Sequence, residues 1–242
     1  MANVPDHYQQ LLARHYVWMT GMPFDAKVAE QKEIIRDAVG STTHGLAIDY
    51  GCGPGFQALA LAELGFAPVI AVDSSAELLD ELKAHRGGWD IELEQADLTQ
   101  FEVGRKASVA VCMGDTLTHV ADKDAIRSFF ARVGEQLVDG GAFVITFRDL
   151  SVAAADVDRF IPVRSDADKI MTCFLEYETP ETVRVTDLVY TRGATSWSLE
   201  KSSYIKLRLS VQWVAQALSE AGFVSVTTGM AGRLNLVVAR TA

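Results

Sequence analysis

The sequence predicts an α/β protein. It should hold an open, mainly parallel sheet with helices on both faces, interrupted late by a β-rich insertion. Three observations predict this. Short apolar stretches alternate with stretches of helical periodicity from about residue 46 to 148. Those apolar stretches show little polar alternation, as strands covered on both faces require. From about 151 to 210 the pattern changes to adjacent, turn-separated strands, and a helix and two strands close the chain.

Each element follows from local signals. "DHYQQLLARHYVWMTG" places Tyr8, Leu11, Leu12, His15 and Trp18 near helical spacing, and Pro23 interrupts before "DAKVAEQKEIIRDAV" resumes it. Strands are expected at 46–50, 68–73, 91–97, 107–114 and 142–147. Helices are expected at 56–65, 76–87 and 123–141, the first ended by Gly65 and the last by the pair Gly140 and Gly141. "KIMTCFLEYET", "TVRVTDLVYTR" and "ATSWSLEKSSYIKLRL" should form antiparallel hairpins, with turns at 179–181 and 192–193. A helix at 210–222 leads to strands at 223–229 and 234–240. Their short connection cannot make a parallel crossover, so they should pair antiparallel.

Composition excludes several function classes. The chain has 242 residues and a formal net charge of −10, with no basic run, which argues against a nucleic-acid partner. No apolar run approaches the roughly twenty residues of a membrane span, and the first ten residues do not read as a signal peptide. Cys52, Cys112 and Cys173 are odd in number and lack a C-x-x-C pair, which suits free thiols and a cytoplasmic protein. The five histidines show no ligand spacing, so no metal is expected.

The chemistry concentrates in "IDYGCGPGFQ", from Ile48 to Gln57. A glycine-rich turn between a strand and a helix lets a ligand approach backbone closely, at the carboxyl edge of an open sheet. A dinucleotide loop would read G-x-G-x-x-G. Here Gly51, Gly53 and Gly55 alternate, and Phe56 stands where a third dinucleotide glycine is expected. Asp49 lies just before the loop, poorly placed for pyrophosphate and well placed for an ammonium group. Asp73 ends the second strand, where a carboxylate can accept both ribose hydroxyls; NAD proteins share that feature. Asp97 in "QADL" is placed for an adenine amine, with Leu98 near the ring. An ammonium, a ribose and an adenine in that order describe S-adenosylmethionine.

On these residues the chain resembles the class I S-adenosylmethionine-dependent methyltransferases, of the small-molecule type related to glycine N-methyltransferase. "DYGCGPG", "AVDSS" and "QADL" match three family motifs, "VCMGDTLTHV" resembles the fourth, and "EAGF…LVVA" resembles the family's last helix and reversed hairpin. The resemblance covers about 45–148 and 210–240. It implies a Rossmann-like seven-stranded methyltransferase sheet of order 3-2-1-4-5-7-6 with the last strand antiparallel. It also implies an N-terminal helical cover over 1–40, a cofactor-binding core over 41–150 and 210–242, and a β-rich insertion over 151–209.

It further implies S-adenosyl-L-methionine as cofactor and S-adenosyl-L-homocysteine as product, held by Asp49, Gly51, Cys52, Gly53, Gly55, Asp73, Ser74, Asp97, Leu98 and Met113. On the acceptor side the candidates are Tyr16, Trp18, Asp115, His119, Arg148, Trp197 and Tyr204, with Tyr8 and Arg208 beside them. His119 is the histidine near the expected reaction centre and is the candidate base. The acceptor is expected to be a small molecule offering N, O or C. Three alternatives stay open. The chain could be a non-catalytic S-adenosylmethionine-binding sensor or partner subunit, or an NAD-linked oxidoreductase, and the insertion could serve a homodimer.

Overall fold

The computed structural model describes His7 and residues 11–242. Its core is a seven-stranded sheet. Ordered by position, the strands are Ser225–Ala231 (β10), Leu234–Arg240 (β11), Leu137–Phe147 (β5), Ala107–Cys112 (β4), Ala47–Tyr50 (β1), Val69–Asp73 (β2) and Ile91–Gln95 (β3). β1 to β5 pair in parallel, and β11 runs antiparallel to both β5 and β10. Counting core strands alone, this is the expected order, with the insertion accounting for the higher numbers. β1, β2 and β4 are buried almost throughout, because helices cover both faces.

The helices form where apolar spacing and caps coincide. Tyr16–Met19 (α1) and Phe24–Val39 (α2) lie N-terminal to the sheet. α2 starts after Pro23 and buries Val28, Gln31, Ile35 and Val39, which recur at three- and four-residue steps. Phe56–Glu63 (α3) is buried over seven residues, pressed between α2 and the sheet. Ala76–His85 (α4), Lys123–Gln136 (α5) and Val211–Glu220 (α6) are capped by Ser75, Asp122 and Ser210, whose side chains accept from Leu78, Ala125 and Trp213 amides.

Three expectations needed correction. The helix predicted to run to Gly141 stops at Gln136, because Leu137 is already extended and pairs with Ala107. Gly140 and Gly141 lie within β5, where the register jumps from Leu137 to Ala142; Gly140 takes φ 72° there. They make a bulge in a strand rather than a helix stop. The N-terminal segment is not one continuous helix: a 3-10 turn over Ala13–His15 precedes α1. Finally, the insertion has four strands: Phe160–Ser165 (β6), Lys169–Tyr177 (β7), Thr182–Arg192 (β8) and Trp197–Leu207 (β9). β6, which was not expected, pairs with β7 on the edge of a separate antiparallel sheet.

That second sheet has two unlike faces. On the inner face Val183, Val185, Asp187 and Val189 of β8 are buried, and Val185 and Val183 stand opposite Tyr204 and Lys206 of β9. The N-terminal segment packs here: Leu11 and Leu12 join Met171 and Val189, and His7 bonds to Asp187. The outer face carries Ile170, Tyr190 and Leu199 in one cross-strand row, with Phe160 on Phe174 and Trp197 opposite Arg192. Phe160, Ile170, Tyr190, Trp197 and Leu199 are all exposed.

Candidate active site

The loop after β1 is fixed by its own backbone. The amides of Gly51 and Cys52 donate to the Val72 carbonyl at 2.7 and 3.0 Å, tying the loop to β2. Gly55 opens α3 at φ 98°, and a Cβ there would lie 2.1 Å from Leu82 Cδ1. A Cβ on Gly51 would lie 2.2 Å from Thr116 Cγ2. Packing and left-handed backbone therefore both require glycine at these two positions. Cys52 is buried within the loop, its thiol against the Gly53 carbonyl.

Three carboxylates surround this loop. Asp73 accepts from the Gly53 amide at 2.8 Å and the Ser75 amide at 2.9 Å, so it clamps the loop to the end of β2. Capping α4 falls to Ser75, which leaves Asp73 for this clamp. Burial pushes the Asp73 pKa up, and the Ser75, Gly53 and Ser74 amides pull against it. Asp97 Oδ1 accepts from the Thr99 amide at 2.8 Å and its hydroxyl at 2.7 Å. Asp49 is 1% exposed, and neither of its oxygens has a hydrogen-bond partner among the described residues. Burial raises its pKa well above the ordinary value and the Asp73 charge adds to this; the Ala58 amide is near enough to offset a little, though not to bond.

A cavity of about 500 Å³ opens over the loop. Gly51, Gly53, Asp73, Ser74, Asp97 and Leu98 line it, together with Leu78 and Thr99. Tyr16, Thr116, His119, Val120, Ile205 and Leu207 line it too. Tyr16 hangs over the loop from α1, and its phenol is pushed up to about 12 by burial first and then by Asp73, Asp115 and Asp49. His119 ends a 3-10 turn over Thr116–His119; burial lowers its pKa well below the ordinary value, helped by the nearby Lys206 and His7.

The remaining candidates lie around or away from this space. Asp49, Cys52, Gly55 and Met113 sit under the loop rather than on the cavity wall. Asp115 accepts from the Arg148 amide at 2.9 Å and from the buried Lys206 ammonium, with Arg148 Nε 3.9 Å away, all behind the wall. Tyr204 stacks on His119 from the inner face. Trp18 donates to Asp166 at 2.6 Å, and Trp197 sits on the outer face beside Arg192; neither lines the cavity. Arg208 gives its guanidinium to the Leu150, Thr179 and Ser151 carbonyls, which makes it a loop brace. Tyr8 lies outside the described residues. Sequence reasoning missed Leu78, Thr116, Ile205 and Leu207 on the wall, and Lys206, His7 and Asp187 behind it. No group of residues that could hold a metal ion occurs among the described residues, and no described helix is long and apolar enough to cross a membrane.

Comparison with known proteins agrees with this arrangement. Residues 47–141 match the family model described as a methyltransferase domain. A 2-heptyl-1-hydroxyquinolin-4(1H)-one methyltransferase from Mycobacteroides abscessus is 26% identical over 157 residues, covering 64% of this chain and 65% of that protein. A cypemycin N-terminal methyltransferase from a Streptomyces species is 28% identical over 144 residues, covering 53% of this chain and 58% of that protein. The chain thus spans less than two thirds of the length of either relative. Among solved structures, Streptomyces venezuelae DesVI superposes with a TM-score of 0.77 at 18% identity, over 98% of this chain and 99% of that one. CalS10, an amino pentose methyltransferase from Micromonospora echinaspora, superposes with a TM-score of 0.76 at 16% identity, over 95% and 96%. With the strand order and glycine loop described above, residues 47–141 match a methyltransferase domain, and the chain as a whole shares the fold of these solved structures.

Proposed function

We propose that the chain binds S-adenosyl-L-methionine and transfers its methyl group to a small-molecule acceptor. The observation that carries this reading is Asp49, a buried carboxylate with neither oxygen hydrogen-bonded, beneath a loop whose glycine amide is clamped by Asp73. A buried unpaired carboxylate is costly and calls for a cation. The ammonium of an aminoacyl chain, directly or through water, supplies one. Asp73 stands at the cavity wall for ribose hydroxyls, and Asp97, Leu98 and Leu78 on the same wall are available to an adenine. The residues present therefore fit the cofactor.

When bound, the cofactor supplies a methyl group already activated by its sulfonium. The chain's task is alignment and exclusion of water. Tyr16 covers the loop, and Val120, Ile205 and Leu207 add apolar side chains to the cavity wall. An N or O acceptor that carries a proton must lose it, and His119, neutral and on the wall, is placed to take it. The relatives named for a hydroxyquinolone and an amino pentose support a small acceptor, as does a net charge of −10 against a nucleic acid. Three free cysteines support a reducing, cytoplasmic setting.

We read 1–40 as the cover, 41–150 and 210–242 as the cofactor-binding core, and 151–209 as an insertion with two uses. Ile205 and Leu207 give it to the cavity. Its outer face, with five exposed large apolar side chains, supports a homodimer. Four strands of six to eleven residues present at most roughly 19 by 35 Å, somewhat less than the roughly 800 Å² per partner of a standard interface. Ile205 stands opposite Arg184 on that same face, which joins the dimer surface to the cavity.

Incubation with methyl-labelled S-adenosylmethionine and a metabolite extract tests the catalytic reading. Label moving into a small molecule is the expected result. Cofactor binding without any transfer would leave a sensor or partner subunit instead.

A further inference from the structure

A buried column of side chains runs from the middle of the second sheet to the cavity wall. It starts at Asp187 on β8, which is 1% exposed. Asp187 Oδ2 lies 2.9 Å from His7 Nε2, and Oδ1 accepts from the Cys173 thiol at 2.7 Å. The His7 ring lies 4.2 Å from the Tyr204 ring, and the Tyr204 ring lies 5.3 Å from that of His119, within 10° of parallel. Lys206 sits over Tyr204 at 5.6 Å and is held by Asp115. Five segments meet here: the N-terminal segment, β7, β8, β9 and the turn after β4.

Burying an aspartate with a histidine is not needed to hold a lid. Leu11 and Leu12 already dock the N-terminal segment on Met171 and Val189. What the polar pair adds is direction. A carboxylate on one imidazole nitrogen fixes the ring's tautomer and plane, and close-packed rings transmit that plane, since interiors leave little room to rotate. We propose that Asp187 and His7 are positioning residues: through Tyr204 they set the orientation of His119 at the cavity wall, where the acceptor's proton must leave. This rests on the methyltransferase reading of the cavity. Among the described residues, the groups that face His119 include Lys206 and Tyr204 from β9 and His7 from the N-terminal segment, with Asp115 on its own turn bonded to Lys206. Burial first, and then Lys206 and His7, hold its pKa well below the ordinary value, so its imidazole is neutral.

Nuclear magnetic resonance of the full chain with labelled histidine tests this without an identified acceptor. In the wild type, saturated with S-adenosylhomocysteine, His119 should show one set of ring signals from a single tautomer. Asp187→Asn and His7→Gln should each split, broaden or shift that set, while the dissociation constant for S-adenosylhomocysteine stays within about twofold. Thermal unfolding checks that each variant folds. If Asp187→Asn does not fold, His7→Gln alone decides, because His7 lies outside both sheets. Unchanged His119 signals in a folded variant overturn the proposal. Changed signals accompanied by a large loss of S-adenosylhomocysteine affinity also overturn it, since the column would then be general scaffolding. A wild type that does not bind S-adenosylhomocysteine fails the cofactor reading itself, which is a separate outcome from unchanged ring signals.

Discussion

At the residue scale the site is a set of carboxylates held in unequal states. Asp73 is bonded to two amides, whereas Asp49 is bonded to nothing described. This has a consequence for pH. An aspartate ionises near 3.8 when unfolded, and burial raises Asp49 well above that in the fold. Between those two values the folded chain holds more protons, so Asp49 costs stability as pH rises through the window, and the cost persists above it. Asp49→Asn should therefore raise the melting temperature of the unliganded protein at pH 7 more than at pH 3.5, while weakening cofactor binding. Thermal melts at both pH values check this, and an equal shift at both would contradict it. The three carboxylates around the loop could be singled out in sequence because each lies at the end of a strand or beside a loop at short spacing. His7 and Asp187 were not, because their contact spans 180 positions and no local pattern encodes it.

At the element scale the glycine loop and the strand alternation carry most of the information. Gly55→Ala would place a methyl group 2.1 Å from Leu82 Cδ1 at a positive φ. Strain of this kind costs about 1–3 kcal/mol, so unfolding should move down by roughly 2–4 °C per kcal/mol in a chain of this size. Calorimetric melting checks it; an unchanged transition would mean that α4 yields. Trp197 and Tyr204 show where alternation was readable but not used. They are seven residues apart on one strand, so they point to opposite faces: Tyr204 stacks on His119, while Trp197 shares its face with Ile205 but lies at the other end of β9. The reading of residues 137–141 as helix failed for a different reason. Two glycines after a helical stretch signal a stop, yet here the strand had begun at Leu137 and the glycines form its bulge. β6 was missed because it is a short edge strand holding Pro162 and breaking register beside it.

At the scale of the whole molecule, a seven-stranded core positions the candidate cofactor residues, and a separate four-stranded sheet gives Ile205 and Leu207 to the same cavity. The two faces of that second sheet divide its labour. The inner face holds the N-terminal segment and the column to His119, and the outer face exposes five large apolar side chains among its charged ones. Light scattering should report a dimer for the wild type and a monomer for the double variant Tyr190→Glu, Leu199→Lys, with S-adenosylhomocysteine affinity kept. A monomeric wild type would contradict the assignment. The central claim concerns the ligand of the loop, and calorimetric titration tests it most directly. Purified protein should bind S-adenosylhomocysteine at one site per chain and give no heat with NAD, and Asp73→Ala should weaken the binding by at least roughly tenfold. Saturable binding of NAD, with no response to S-adenosylhomocysteine, would contradict the account.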